Sequence, residues 1–388
     1  MDDAEHWSIS IEKKLKVYSI IQTTSATVSV LASVTLIVMI CRSHKKLSTT
    51  LHRLLLGLSI SDVVASLAMS FSSTLSPPDQ IGWNRSANMS LCRAQGFIGF
   101  FAHNASPLYN CSLCVYYLTE IKYTQLKENM NKIEIFLHSI PVLIPLFESF
   151  YVLAIDEFKP GATMCYPSAF QPFECRYNPE VECDEGFQND KIVSYLWACR
   201  SFILVPLIIS VSMTVIFREV ASQERSINVH RYSFSSRGSN SAQRNTIAAR
   251  NRAAAYSSSW LLSWSAIFVI VVMQLLLGID KAMPFPLNVA NHLLYPLQGL
   301  FNFIVYLYPK VIRELSRLER EGVARPRRFL LALRDSLLSR GRPVLPSGRN
   351  RSYSRRIVRR NVGITEERRE ETNNDIEINE QIRFEDNL

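Results

Sequence analysis

The sequence predicts an all-α fold, a seven-transmembrane helix bundle with an extracellular N-terminus and a cytoplasmic C-terminus. Two observations predict it. Seven apolar stretches each approach or exceed the roughly 20 residues a helix needs to cross a bilayer core, and the loops between them alternate in charge. The stretches run over Val17–Cys41, Leu51–Thr74, Ala94–Lys122, Ile133–Ile155, Ile192–Phe217, Tyr256–Ile279 and Leu287–Tyr308. In hydrocarbon every backbone amide must bond within its own segment, so such stretches are helices.

Orientation follows from the loops. The segment between the fifth and sixth spans carries Arg218, Arg225, Arg231, Arg237, Arg244, Arg250 and Arg252 against Glu219 and Glu224, and the first loop carries Arg42, Lys45 and Lys46. The loop between the fourth and fifth spans is acidic, with Asp156, Glu157, Glu174, Glu180, Glu182, Asp184, Glu185 and Asp190. Basic loops stay in the cytoplasm. The net charge of +9 therefore points to anionic lipid rather than nucleic acid.

Residues 1–16 are short and polar, and lack the apolar run of a signal peptide. The first span is expected to direct insertion itself. So small a head cannot fold as a ligand-binding domain, which leaves an extracellular ligand to the helices and outer loops. At the other end, 310–322 alternates Val311, Ile312, Leu315 and Leu318 with Lys310, Arg313, Arg317 and Arg320, the pattern of an amphipathic helix on the membrane surface. A second basic, apolar stretch, Pro326–Leu338, reads the same way. The tail 323–388 is otherwise expected to be largely disordered, as is the middle of Arg218–Arg252 between helical extensions.

Cys92, Cys165, Cys175 and Cys183 fall on the oxidising side. From their places along the chain, Cys92 is paired with Cys165 and Cys175 with Cys183, although four cysteines permit three connectivities. Cys41, Cys111, Cys114 and Cys199 are expected as buried thiols. Asn84 and Asn88 head glycosylation sequons in the first outer loop. Asn104 and Asn110 head sequons too, but inside the third span, where no glycan fits.

Several intramembrane polar residues are functional candidates, because ionisable groups there are costly. Asp62 lies midway through the second span, with Asn302 and Ser33 at similar depth. Arg200 lies on the order of 12 Å below the outer end of the fifth span, counting 1.5 Å per residue. Glu148 is at comparable depth, with His103 and His292 in the outer halves of their spans. A buried guanidinium suits an anionic ligand; an Arg200–Glu148 pair between helices is the plainer alternative. At the inner end, Tyr117, Glu120, Arg218, Arg250 and Arg252 are candidates for a protein-facing surface, with an interfacial aromatic belt as the competing reading.

These features together resemble the G-protein-coupled receptor superfamily. Lys45-Lys46-Leu47 and Leu58-Ser59-Ile60-Ser61-Asp62 resemble its first inner loop and second span. Asn302-Phe303-Ile304-Val305-Tyr306 resembles its Asn-Pro-x-x-Tyr motif. Cys92-Arg93-Ala94-Gln95-Gly96-Phe97, Leu108-Tyr109-Asn110 and Leu297-Gln298-Gly299-Leu300-Phe301-Asn302 look closest to the cyclic-AMP-receptor-like branch of microbial eukaryotes. The resemblance covers about Val17 to Leu318. It implies a plasma-membrane receptor for an unknown extracellular ligand, coupling to a heterotrimeric G protein. It also implies a polar switch of Asp62, Asn302, Tyr306 and Ser33.

Departures are equally plain. The third span ends Tyr116-Tyr117-Leu118-Thr119-Glu120 with no Arg, the sixth has Trp260 and Trp264 but no proline between them and Ile279, and Phe303 stands where the family has proline. The family's first-span Asn is absent, which weighs against a sodium ion at Asp62. No catalytic or metal-ligating constellation is present in the sequence, so neither enzyme chemistry nor a cofactor is expected. A transporter or channel, and a signalling-silent receptor-like scaffold, are the alternatives. A retinal-based light sensor is excluded by the lack of lysine in Leu287–Tyr308.

Overall fold

In the computed structural model, which describes residues 2–43, 47–78, 82–167, 199–231, 239–277 and 284–338, α1 runs unbroken from Asp2 to Arg42. It therefore passes straight through the N-terminal stretch that the sequence set apart. Ile11, Leu15 and Tyr18, one turn apart on one face, pack against Ala162 and Val289. Lower down, Thr24 and Thr27 are exposed and Thr35 is half-buried, and each hydroxyl donates to the carbonyl four residues back at 2.7–2.8 Å. That internal bond lets a hydroxyl face lipid.

Helix α2 (Thr50–Ser70) starts at Thr49, whose hydroxyl accepts from His52 N. Helix α3 (Met89–Ile121) starts at Asn88, whose side chain accepts from Leu91 N at 3.0 Å. Both are N-cap bonds satisfying a free first-turn amide. Helix α4 covers Met130–Ala154. A two-stranded antiparallel hairpin follows, β1 (Phe158–Pro160) and β2 (Cys165–Pro167), with Lys159 opposite Tyr166.

A π-helical turn, Cys199–Leu204, leads into α5 (Val205–Arg231). Pro206 has no N–H to offer the carbonyl of Phe202, and the widened turn lies over that gap. Helices α5 and α6 (Ser239–Leu277) both extend well past the expected spans, as anticipated for the ends of the basic loop.

The last expected span is broken. It consists of α7 (Phe285–Leu294), a 3₁₀ turn at Tyr295–Leu297 and α8 (Gln298–Arg320). Pro296 lies in that turn and explains the interruption. By contrast Pro309 does not end the helix, so the expected surface helix at 310–322 is the continuation of α8. Gly322 ends it, with φ of 77°. Its N–H bonds Glu319 O and the next N–H, Val323, bonds Leu318 O, the paired closure that favours glycine in the left-handed region. The chain then enters α9 (Arg325–Leu338), so the first part of the tail is helical. Ala332 of α9 is buried in a cluster with Leu318, Val311, Leu307 and Met39.

Among the described residues, five segments are long and apolar enough to cross a membrane: Ile11–Arg42, Thr50–Ser70, Met130–Ala154, Cys199–Gln223 and Thr246–Met273. Their outward faces expose Leu31, Ile135, Phe136, Leu143, Phe147, Ile203, Leu207 and Leu261. Soluble monomers rarely show so wide an apolar surface. The chain is a multi-pass membrane protein. Helix α3 is the most enclosed element, packed by α2, α4, α5, α6 and the hairpin.

Close approach at the centre depends on Gly299. A methyl group there would fall 2.7 Å from Ser29 Oγ, nearer still to Ser33 Oγ, and 3.3 Å from Asp62 Cβ. Small residues at such crossings let helices meet backbone to backbone. Gly299→Leu is expected to lower the unfolding midpoint by the equivalent of about 3 kcal/mol, the upper part of the overpacking range. An unchanged midpoint in detergent would show that α8 does not sit against α1 and α2 as described.

Candidate functional site

The centre of the bundle holds a polar network joining four helices. Asp62 of α2 is buried; its Oδ1 accepts from Ser106 Oγ of α3 at 2.6 Å and its Oδ2 from Asn302 Nδ2 of α8 at 2.8 Å. The Asn302 amide oxygen accepts from Ser259 Oγ of α6 at 2.8 Å. Ser106 in turn accepts from Gln298 Nε2 at 2.7 Å, and Gln298 Oε1 accepts from Trp264 Nε1 at 3.2 Å. Each link uses a donor or acceptor that would otherwise be stranded in a low-dielectric interior, where an unmade bond is expensive.

The depth argument thus placed Asp62 and Asn302 together, while two other members of the expected switch lie apart. Ser33 is fully buried near Asp62, but its hydroxyl has no hydrogen-bond partner among the described residues. It packs against Gly299 instead, because that glycine admits α1 so closely. Tyr306 is one turn beyond Asn302 and accepts from Lys310 Nζ at 3.0 Å, so it belongs to the inner end. Ser106, Ser259, Gln298 and Trp264 were missed as partners. The signal that could have found Gln298 is its amide inside an otherwise apolar run.

The outer cluster divides into three. Arg200, turned inward by the π-helical turn, pairs with Glu148, and its Nη2 donates to Asn104 Oδ1 at 2.8 Å. This is the inter-helix pair rather than an open guanidinium. His292 meets Gln22 Oε1 at 2.8 Å and stacks on Tyr18 with ring centroids 5.0 Å apart. His103 stacks on Tyr295 at 4.8 Å, and its Nε2 has no hydrogen-bond partner among the described residues. Neither histidine bonds Arg200 or Glu148, so the four expected pocket residues do not form one cluster. Because breaking a buried pair leaves a bare charge, Arg200→Met is expected to cost about 3 kcal/mol. Adding Glu148→Leu should restore most of it; a thermal-unfolding series in which the double variant is worse than the single would contradict the pairing.

Over this region lies the hairpin. Cys92 and Cys165 form a disulfide, Cα atoms 5.3 Å apart. Gln95 accepts from Cys165 N at 3.3 Å and donates to Ala68 O and Ser72 O at 2.9 and 2.8 Å. Phe158 lies against Gly96, and Met164 against Gly99. Thr163 Oγ1 donates to Gln22 Oε1 at 2.8 Å, which ties the hairpin tip to α1. Burial pushes the Tyr166 phenol up from its ordinary range, so it stays neutral. Cys175 and Cys183 lie outside the described residues. Asn84 is exposed in a left-handed turn; Asn88 is also exposed, with its amide oxygen engaged in the α3 cap. Asn104 and Asn110 are buried, as their place inside α3 required. Of the single cysteines, Cys111 and Cys114 are buried but Cys41 and Cys199 are exposed, because they fall on outward faces of their helices.

At the inner end the expected surface is only partly one. Tyr117 is 1% exposed and belongs to the core with Tyr116, Tyr256 and Leu113, because it lies on the inward face of α3. Glu120, Arg250 and Arg252 are half-buried and Arg218 is exposed; Arg250 lies 5.7 Å over the Phe217 ring. Beside them, Glu134 of α4 accepts from the Arg53 guanidinium at two positions and from Thr50 Oγ1 at 2.8 Å, clamping α2 to α4. The sequence analysis did not single out this pair, although both charges fall just inside the expected second and fourth spans. Searches against protein-family models and curated proteins give no match to this chain.

Proposed function

We propose that this chain is a G-protein-coupled receptor: seven helices crossing the plasma membrane, N-terminus outside, relaying an extracellular ligand to a heterotrimeric G protein. In this reading α3 and the α7–α8 pair are the two further spans, and Asn84 is a glycosylation site. The observation that carries it is the network of Asp62, Ser106, Asn302, Ser259 and Gln298. It ties α2, α3, α6 and α8 at one level. A shift of any one helix must exchange bonds with the others, which makes the network a two-state element that both ends of the bundle can bias. The disulfide-held hairpin offers an outer surface through which a ligand acts on α1 and α3.

Guanine-nucleotide exchange on a panel of G-protein α subunits tests it, in membranes holding the intact chain or a chain lacking 225–250. Exchange above background that the deletion abolishes supports the reading. Solute flux without exchange would replace it with a transporter.

A further inference from the structure

At the inner end, three cations from two helices, Arg252 of α6 and Lys310 and Arg313 of α8, act on one another with no ion pair to any of them among the described residues. Arg252 of α6 lies within electrostatic reach of Tyr116, Tyr117, Tyr256, Tyr306 and Lys310, and Arg313 within reach of Tyr306 and Lys310. None of the three cations makes an ion pair with a described carboxylate. Of the neighbouring acids, Glu134 is held by Arg53, Glu314 one turn on from Lys310 pairs with Arg317, and Glu120 acts on Tyr116 as Arg252 does.

Arg252 and Lys310 are half-buried and Arg313 is exposed; cations drawn out of water normally have an acidic partner. Burial, with Arg313 and Arg252 close by, lowers the Lys310 ammonium to about 8. Two polar atoms here are unsatisfied, one of them on Arg252 itself. Arg252 Nη1 and Tyr117 Oη are buried, and neither has a hydrogen-bond partner among the described residues. Tyr306 accepts from Lys310, which leaves its own O–H free to donate.

We propose that the inner ends of α3, α6 and α8 form a binding site for a phosphomonoester, with Arg252, Lys310 and Arg313 as cations and Tyr117 and Tyr306 as hydroxyl donors. A phosphate offers several acceptor oxygens and close to two negative charges, enough to answer both the charge and the unmet donors. The group is borne by a lipid headgroup or free in solution. The inference does not depend on G-protein coupling, because binding alone reads it.

The full chain in phosphatidylcholine nanodiscs provides the test, with phosphatidylinositol bisphosphate added to the bilayer in one arm and soluble inositol trisphosphate in the other. Stabilisation of the wild type in either arm is expected; the responding arm identifies the source. Arg252→Gln and Lys310→Gln should each weaken binding roughly tenfold, the loss of one charge-assisted bond. Arg317→Gln, on the same helix but engaged by Glu314, Glu321 and Asp335, should bind as wild type does. Without ligand, Lys310→Gln should unfold at a higher temperature than wild type, since it removes like-charge repulsion. Tyr117→Phe keeps the core packing and should also bind more weakly, which covers a failure of Arg252→Gln to fold. No response in the wild type, or equal responses in wild type and all these variants, overturns the site.

Discussion

Under the proposed receptor function, Asp62→Ala is expected to abolish nucleotide exchange on the G protein, and whatever the function it should destabilise the bundle by on the order of 3 kcal/mol. The substitution strands the Ser106 hydroxyl and the Asn302 amide, and each unsatisfied buried group costs about 1–3 kcal/mol. Asp62→Asn separates the two effects. Its amide can still accept from Ser106, and Asn302 can turn its own amide so that Ser259 becomes the acceptor. That variant should fold near the wild-type midpoint yet signal poorly, because the carboxylate that holds α8 is gone. A double-mutant cycle of Asp62→Ala with Asn302→Ala should give a coupling of about 1–2 kcal/mol, the upper part of the range for hydrogen bonds between membrane helices. Full exchange activity in Asp62→Asn would remove the network from the signalling mechanism, and zero coupling would remove the bond itself.

The second large effect is expected at the outer end. Cys92 and Cys165 are 73 residues apart in sequence. Chain-entropy arithmetic for a loop of that size gives about 4 kcal/mol. Cys92→Ser and Cys165→Ser should therefore lose surface display and thermal stability to the same extent, and the double variant should be no worse than either. Gln95→Ala is expected to be milder, since the bond it makes to Cys165 N supports a hairpin the disulfide already holds. Unequal losses in the two single variants, measured by cell-surface labelling, would assign at least one of these sulfurs another role.

Much of this architecture was legible because hydrocarbon imposes a simple demand. Apolar length marked the helices, and a lone carboxylate at mid-depth marked Asp62 and then Asn302. Rotation about a helix axis was not legible. Ser33 and Ser106 are both small, polar and near the right depth, but only Ser106 points at Asp62. Serines are common in these helices, and many bond their own backbone, as Ser59 does to Leu55 O and Ser61 to Gly57 O. A serine that reaches across to another helix therefore carries no mark in the sequence. The same limit split the outer pocket: Arg200 and Glu148 meet, while His103 turns to Tyr295 and His292 to Gln22 and Tyr18. Proline gave mixed guidance, since Pro296 sits in the break between α7 and α8 while Pro309 lies inside a continuous helix.

Helix α3 falls outside the five segments apolar enough to cross a membrane unaided. Its interior carries Gln95, His103, Asn104, Ser106, Asn110 and Ser112, all buried against neighbours. Such side chains disfavour partition of an isolated helix from the translocon into lipid. In a seven-helix reading, α3 is then a dependent passenger during biosynthesis. It must wait at the insertion channel until α2 and the turn after it offer Ala68 O and Ser72 O to Gln95, and α4 offers Leu137 O to Ser112. A ribosome pause placed just after α4 would then favour assembly, and faster elongation there would raise the fraction degraded.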